Sequence, residues 1–468
     1  TILVNSLLSA GLSLLISMKL VAGEIARYFK VGAGATGAST SLSLALVGVG
    51  HLVGLSVGLA MLLGMAISWI GLVPYFSRGV AGADAAEIAG SVFREKARFI
   101  GAGTIGVAAI WTLLKIIGPI VQGLKSAMAA SAARSAGDSL ALTERDIPIK
   151  LVGAIIVATL IPIAFLLWQF LGATPLAGMA GPIIGLTIVY ILLAGVVIAS
   201  VCGYMAGLIG ASNSPISGVG ILAVVGASLM LLGFFGRGGT PDETSAMIAY
   251  ALFATSIVFG IATISNDNLQ DLKTGQIVGA TPWRQQIALV IGVLFGSLAI
   301  PPVLDLLNNA FGFAGSAGAG ENALAAPQAL LISALAKGVL GGDLDWPLLG
   351  LGALIGVAVV IVDELLGKAG KRRLPPLGVG MGVYLPMALT FLIVAGTVLG
   401  HYYDKWADTR HDPESAKRMG VLAATGLIVG ESLFGVAFAG IVAGSGSDAP
   451  LAVVGESFAP IAEYGGAI

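Results

Sequence analysis

Long apolar runs alternate with short polar ones along the whole chain. A helix needs about 20 apolar residues to cross a bilayer. Runs of that kind fall at roughly 1–22, 50–76, 97–123, 148–172, 178–208, 214–235, 243–265, 286–310, 345–366, 377–402 and 416–444. The pattern predicts about eleven crossings. Two further apolar pieces, Ser39–Gly50 and Ala326–Leu340, are too short to cross alone. They are expected as re-entrant half-helices, tolerated at membrane depth only where protein walls them in.

Two polar runs interrupt this pattern. The denser, 263–286, reads TISNDNLQDLKTGQIVGATPWRQQ. One reading is a solvated cytoplasmic loop with an internal ion pair. The other is a helix end that dips into a solvated vestibule. There Asn266, Asn268, Gln270 and Lys273 would face a substrate, and Asp267 or Asp271 would bind a proton or a substrate amine. The two aspartates are spaced i, i+4 and share a face if helical. Thr281, Pro282, Trp283 and Arg284 resemble an interfacial anchor opening the next span. The second run, 207–220, reads GLIGASNSPISGVG. It is either a tight helix–turn–helix, with Asn213 or Ser214 capping and Pro215 in the first turn, or a broken-helix site. In the latter, Ser212, Asn213, Ser214 and Ser217 surround a helix N-terminus whose free N–H groups attract carboxylates. Tyr204 would add an aromatic wall.

Isolated ionisable residues also lie within apolar runs. Glu431 is the deepest acid, and a mid-membrane acid faces a cavity or a partner. Proton coupling and structural pairing are both open to it. His51 heads a span as a helix-end hydrogen-bonding residue, and Lys115 is deep enough to want a carboxylate partner. Asp363 and Glu364 close a span beside the basic cluster 368–373 and are expected as a surface ion cluster.

Composition sets the class. Hydrophobic residues make up 57% and charged residues 10%, with a mean hydropathy of +0.97. A soluble domain carries about 25% charge, so this is a polytopic all-α membrane protein. The 68 glycines suit close helix packing, and the short alternating segments of a β-barrel are absent. A net charge of −1 offers no surface for nucleic acid. The lone Cys202 is a packing residue, and three histidines are too few for a metal cluster. Lys and Arg concentrate in 124–150, 266–285 and 366–375, which the eleven spans place on one side, taken as cytoplasmic. No Walker A loop, HExxH or GxSxG is present, so an enzyme is not expected and pumping would run on an ion gradient. No signal peptide precedes the first span, and the start at Thr1 is expected to follow missing sequence.

Several stretches resemble the oligopeptide transporter (OPT) superfamily, which includes the yellow-stripe-like metal-chelate carriers. They are GLIGASNSPISGVGI at 207–221, NDNLQDLKTGQIVGATPWRQQ at 266–286, GVGMGVYLPM at 378–387 and GLIVGESLFGV at 426–436. RFIGAGTIGVAAIWTLL at 98–114 and TERDIPIK at 143–150 are similar to bacterial members. The resemblance implies a secondary active, proton-coupled importer of short oligopeptides in the cell inner (plasma) membrane, or of siderophore- or nicotianamine-like metal chelates. A passive channel is the remaining alternative, though no filter motif supports it. The resemblance implies about sixteen helices, a single transmembrane domain whose first spans are missing here, and no cofactor beyond the proton gradient. Expected partners are the peptide or chelate, protons, membrane lipid and a second copy in a homodimer. Substrate contacts are expected at Tyr204, Ser212, Asn213, Ser214, Ser217, Asn266, Asn268, Gln270 and Lys273, and proton coupling at Glu431, Asp267 and Asp271.

Overall fold

In hydrocarbon, a backbone must satisfy its own polar groups, and a helix does so within one segment. The apolar runs therefore fold as helices. The computed structural model describes residues 1–112, 142–209, 216–313, 327–342 and 345–467, apart from Ala81, Ala83 and Asp448, with isolated positions at 114, 115, 118 and 324. Among the described residues eight helices are long and apolar enough to cross a membrane, and they coincide with eight of the eleven expected spans. The other three depart from expectation. The first, α1, is helical only over Ile2–Ser17. The third, α6, is described over 98–112, and part of the expected span 97–123 lies outside the described residues. The tenth, 377–402, is split into α14 (Pro376–Tyr384) and α15 (Met387–Ala407).

The chain divides into two compact units. The first comprises Thr1–Ala108, Ile300–Pro327 and Trp346–Ile468. Here α1 packs on α16 (Pro413–Ser445). Gly426 and Gly430 let the α1 backbone approach closely, and Ser6 Oγ donates to the Gly426 carbonyl at 3.0 Å. Helix α2 (Leu44–Val53) packs on α15, and α3 (Leu55–Ala66) on α14. Gly50, Gly64, Gly382 and Gly396 face backbone atoms of the opposing helix, the small-residue packing that membrane helices use.

Both helix pairs are interrupted. Gly54, at φ +82° and ψ 163°, breaks the path between α2 and α3, a conformation only glycine adopts without strain. Pro386 breaks the path between α14 and α15: it has no N–H, and it forces Leu385 into extended backbone (φ −76°, ψ 149°). Between α1 and α2 the chain forms a hairpin of β1 (Glu24–Val31) and β2 (Gly34–Ser41), turning at Gly32 with φ +59°. The re-entrant half-helix expected at 39–50 is thus replaced by the end of β2 and the start of α2. Beyond α3 follow a π-helical segment Ile67–Leu72, α4 (Val73–Phe76), α5 (Ala85–Val92) and a second π-helical segment Phe93–Ala97 that runs into α6.

The second unit comprises Ala109–Ala299 and Gln328–Asp345. It is built on α7 (Ile149–Gly172), α8 (Ala180–Ile209), α9 (Ile216–Phe235) and α10 (Pro241–Val278). Its core gathers Leu167, Leu171, Ile183, Ile198, Met247 and Tyr250. Buried hydroxyls are paired across helices: Tyr250 Oη donates to Thr187 Oγ1 at 3.0 Å, and Tyr190 Oη to the Ala223 carbonyl at 2.6 Å. Helix α11 (Pro282–Phe311) belongs to both units, and α12 (Pro327–Gly341) is the short apolar helix expected near 326–340. Helix α13 (Trp346–Lys368) completes the first unit, with the short α17 (Ala459–Ala467) at its C-terminal end.

Candidate functional site

The polar run after residue 265 is not a loop. Helix α10 continues through it for 38 residues and stops at Gly279, whose φ of +78° gives the left-handed C-cap. At 1.5 Å per residue the helix is about 57 Å long, far more than the hydrocarbon core requires. The reading as a solvated loop is therefore corrected: no proline or positive-φ glycine intervenes before Gly279, so the amides and carboxylates stay on helix faces. Asp267 and Asp271 share an exposed face, Asn266 is buried at 2% exposure, and Asn268, Gln270 and Lys273 are half-buried. Lys273 Nζ donates to Gln276 Oε1 at 3.2 Å, in place of an ion pair with either aspartate. Gln285, in the first turn of α11, donates through Nε2 to the Asp271 carbonyl at 2.7 Å. Three acceptors here are buried with no partner among the described residues, Asn268 Oδ1, Gln285 Oε1 and Gln286 Oε1, and each such group costs about 1–3 kcal/mol.

The second polar run comes to the same end of this unit. Thr187 meets Tyr250, Ser265 Oγ donates to the Ala199 carbonyl at 2.7 Å, and Gly207 abuts Leu269, so α8 and α10 run parallel. Gly220 abuts Phe259 and Ala223 meets Tyr190, so α9 runs antiparallel to both. The C-terminal end of α8 with half-buried Tyr204, the start of α9 with Ser217, and the polar third of α10 therefore lie together. Ser212, Asn213 and Ser214 lie outside the described residues.

Glu431 lies in the first unit, near the middle of α16. Its carboxylate accepts from Ser43 Oγ at 2.7 Å and from the Ala45 backbone N–H at 3.1 Å. Ser43 in turn accepts from Leu46 N–H at 3.2 Å as the N-cap of α2. Glu431 is thus a second cap on α2, supplied by another helix, where the partial positive charge of the helix start favours an anion. It forms part of the wall of a cavity of about 700 Å³ lined by Ser13 and Ser17 of α1 and by Phe311, Phe434 and Phe438. Those rings are stacked, with centroids 6.0 Å (Phe311–Phe438) and 5.9 Å (Phe434–Phe438) apart. The volume falls in the range of small-ligand pockets.

Other sequence-marked groups make contacts within their own units. The expected ion cluster forms, Arg373 pairing with Asp363 and Glu364, but Asp363 is not at the surface: it is 5% exposed and bound in bidentate fashion by Arg373, with Leu374 N–H donating to Oδ1 at 2.8 Å. Arg373 also reaches Glu364 at 2.9 Å. These bonds hold its guanidinium charged, raising its pKa above the usual arginine value. Lys115 stands over the Trp111 ring at 5.5 Å, and His51 meets Tyr403 edge-on at 5.7 Å. Among the described residues no three His, Cys, Asp or Glu side chains are grouped to hold a metal ion. One constellation is not legible in the sequence, the two π-helical segments and Arg98, because its partners are far apart along the chain, as Trp69 is from Phe93 and Arg98 from Tyr384.

Residues 7–442 match the family model described as OPT oligopeptide transporter protein. A Haemophilus influenzae protein named "Putative oligopeptide transporter" is 37% identical over 483 residues, spanning 96% of this chain and 74% of that protein. A rice (Oryza sativa subsp. japonica) protein named "Probable metal-nicotianamine transporter YSL10" is 28% identical over 209 residues, 43% of this chain and 29% of that protein. A second from rice, "Probable metal-nicotianamine transporter YSL11", is 25% identical over the same number of residues, 43% of this chain and 28% of its own length.

Proposed function

Because the chain belongs to the oligopeptide transporter family, we propose that it is a secondary active, proton-coupled importer of short oligopeptides across the cytoplasmic membrane. It is a multi-pass membrane transporter, not an enzyme. The observation that carries proton coupling is Glu431: a titratable group inside a membrane-crossing helix, on a cavity wall, bonded to the first turn of an interrupted helix. Protonation removes the charge that the α2 start stabilises and leaves fewer acceptor sites for its two donors. Loading a proton would loosen the α2 start, and α2 is joined to α3 through Gly54. That links a proton to a helix movement, which symport requires. Substrate contacts are assigned to the polar end of α8, α9 and α10, at Tyr204, Ser217, Asn266, Asn268, Gln270 and Lys273 together with 212–214; Asp267 and Asp271 are the alternative proton sites.

A second reading, import of metal chelates by the same proton-driven cycle, is favoured by the rice relatives that match 43% of the chain. Proteoliposomes carrying the full protein, with an inward proton gradient and labelled trialanine, test both. Accumulation above the external concentration, abolished by a protonophore and unaffected by an excess of iron–nicotianamine, supports the peptide importer. Competition by the chelate without trialanine uptake supports the second reading. Uptake that equilibrates and ignores the gradient is the behaviour of a passive channel and would overturn the proposal.

A further inference from the structure

π-helical turns are rare and recur at functional sites. The first unit carries two that touch each other: Trp69 of Ile67–Leu72 stacks on Phe93 of Phe93–Ala97, with ring centroids 5.1 Å apart and planes at 26°. The residue that follows the second is Arg98. Its guanidinium carbon lies 5.9 Å from the Phe93 centroid and 5.0 Å from that of Tyr384, with which it also hydrogen-bonds. Tyr384 is the last residue of α14, immediately before the break at Leu385 and Pro386. One turn beyond Arg98, Gly101 brings α6 against this break: a Cβ there would sit 2.8–2.9 Å from Tyr384 Cβ, Cα and N. Arg98 is partly exposed, so the cation is held by two aromatic faces beside an interrupted helix and still reaches open space.

The neighbouring groups are donors. Trp69 is 5% exposed, and its indole N–H has no partner among the described residues. Met387, the first residue of α15, packs against the cluster that contains Trp69 and Phe93. Helix α15 starts at Pro386 with no side-chain cap on its first-turn N–H groups. A fixed cation, a buried unpaired indole N–H and an uncapped helix start call for the same complement, an anion. Guanidinium matches a carboxylate in bidentate geometry, and interrupted helices present such starts to the carboxylates of transported substrates.

We propose that Arg98, assisted by Trp69 and the start of α15, binds the terminal carboxylate of the transported peptide. This rests on the oligopeptide reading above. The full protein in detergent is titrated with trialanine and with trialanine amide, which differ only at that carboxylate. The wild type should bind the acid at least tenfold more tightly than the amide. Arg98→Gln should reduce the preference to below twofold while leaving affinity for the amide unchanged, and Arg98→Lys should restore part of it. Trp69→Phe keeps the stacked ring and removes the N–H, and should weaken the acid several-fold without affecting the amide. Equal binding of acid and amide by the wild type, or a tenfold preference retained in Arg98→Gln, overturns the assignment while the peptide reading stands. If Arg98→Gln does not fold, the wild-type comparison and Trp69→Phe decide. No binding of trialanine by the wild type overturns the peptide reading itself, and this assignment with it.

Discussion

Removing the Glu431 carboxylate should separate its mechanical from its proton-handling role. Glu431→Ala deletes the acceptor of both the Ser43 hydroxyl and the Ala45 N–H. Ser43 keeps its own cap bond to Leu46, so the loss is that of one tertiary cap. An N-cap is worth about 1 kcal/mol, and a half-buried donor left without a partner adds about 1–3 kcal/mol. The expected destabilisation is about 2–4 kcal/mol, read as a lower thermal midpoint in detergent. Glu431→Gln retains one carbonyl oxygen for one of the two donors and cannot titrate, so its cost is about 1–2 kcal/mol. In proteoliposomes Glu431→Gln should still exchange labelled trialanine for unlabelled peptide across the membrane, but should lose gradient-driven accumulation. Ser43→Ala should cost about 1 kcal/mol in stability and keep accumulation, because the titrating group and the Ala45 bond remain. If Glu431→Gln accumulates substrate with the pH dependence of the wild type, Glu431 is a helix cap only, and coupling moves to Asp267 or Asp271.

Further outcomes follow from packing, exposure and charge. A Cβ on Gly64 would overlap the Val379 carbonyl oxygen of α14, so Gly64→Ala should destabilise by about 1–3 kcal/mol in thermal unfolding, whereas Gly71→Ala, which meets open space, should be neutral; equal midpoints would contradict the close α3–α14 packing. Arg373→Ala strands buried Asp363 without its cation; breaking a buried pair costs about 3–5 kcal/mol, which the half-exposed arginine reduces to about 2–3 kcal/mol, and Arg373→Lys should recover part of it. A cysteine at position 268, on the polar third of α10, should be labelled from the cytoplasmic face and protected by substrate; labelling that ignores substrate would remove Asn268 from the binding surface.

The spans were legible because hydropathy is a local sum, and eight helices obey it. The breaks are legible in principle only. Tyr384-Leu385-Pro386 carries its own signal, a proline that excludes helical backbone at the residue before it, yet a twenty-residue hydropathy window averages over a one-residue interruption. Gly54 looks like dozens of other glycines in this chain until its φ of +82° is known. The hairpin had a strand-like first half, in Ile25, Tyr28, Phe29 and Val31, but GATGASTS has little strand propensity of its own. Its second strand is held by distant partners: Ser77 Oγ bonds both the N–H and the carbonyl of Ala35, at 2.8 and 3.2 Å, and Thr36 Oγ1 donates to the Trp69 carbonyl at 2.5 Å. The polar third of α10 is legible as a polar run but not as helix, because polarity says where water is and not what the backbone does.

What separates a structural polar group from a functional one here is how fully it is bonded, which no local pattern records. Asp363 and Glu431 both read as acids at or within apolar spans. Asp363 accepts from two guanidinium nitrogens and a backbone N–H; with that many donors its carboxylate has little left to offer a substrate, and its work is to fix the α13–α14 turn. Glu431 accepts from a single hydroxyl and a single N–H and borders open volume, so a proton or a cation can still reach it. Asn268 Oδ1 and the Trp69 indole N–H are buried with no partner among the described residues. Each carries an unpaired cost of about 1–3 kcal/mol that a well-packed core would avoid by an apolar side chain of similar shape. On the proposed reading, a ligand supplies the missing bond during the transport cycle. Substrate should therefore stabilise the protein by more in the wild type than in Asn268→Leu or Trp69→Phe, even where those variants are themselves more stable in its absence.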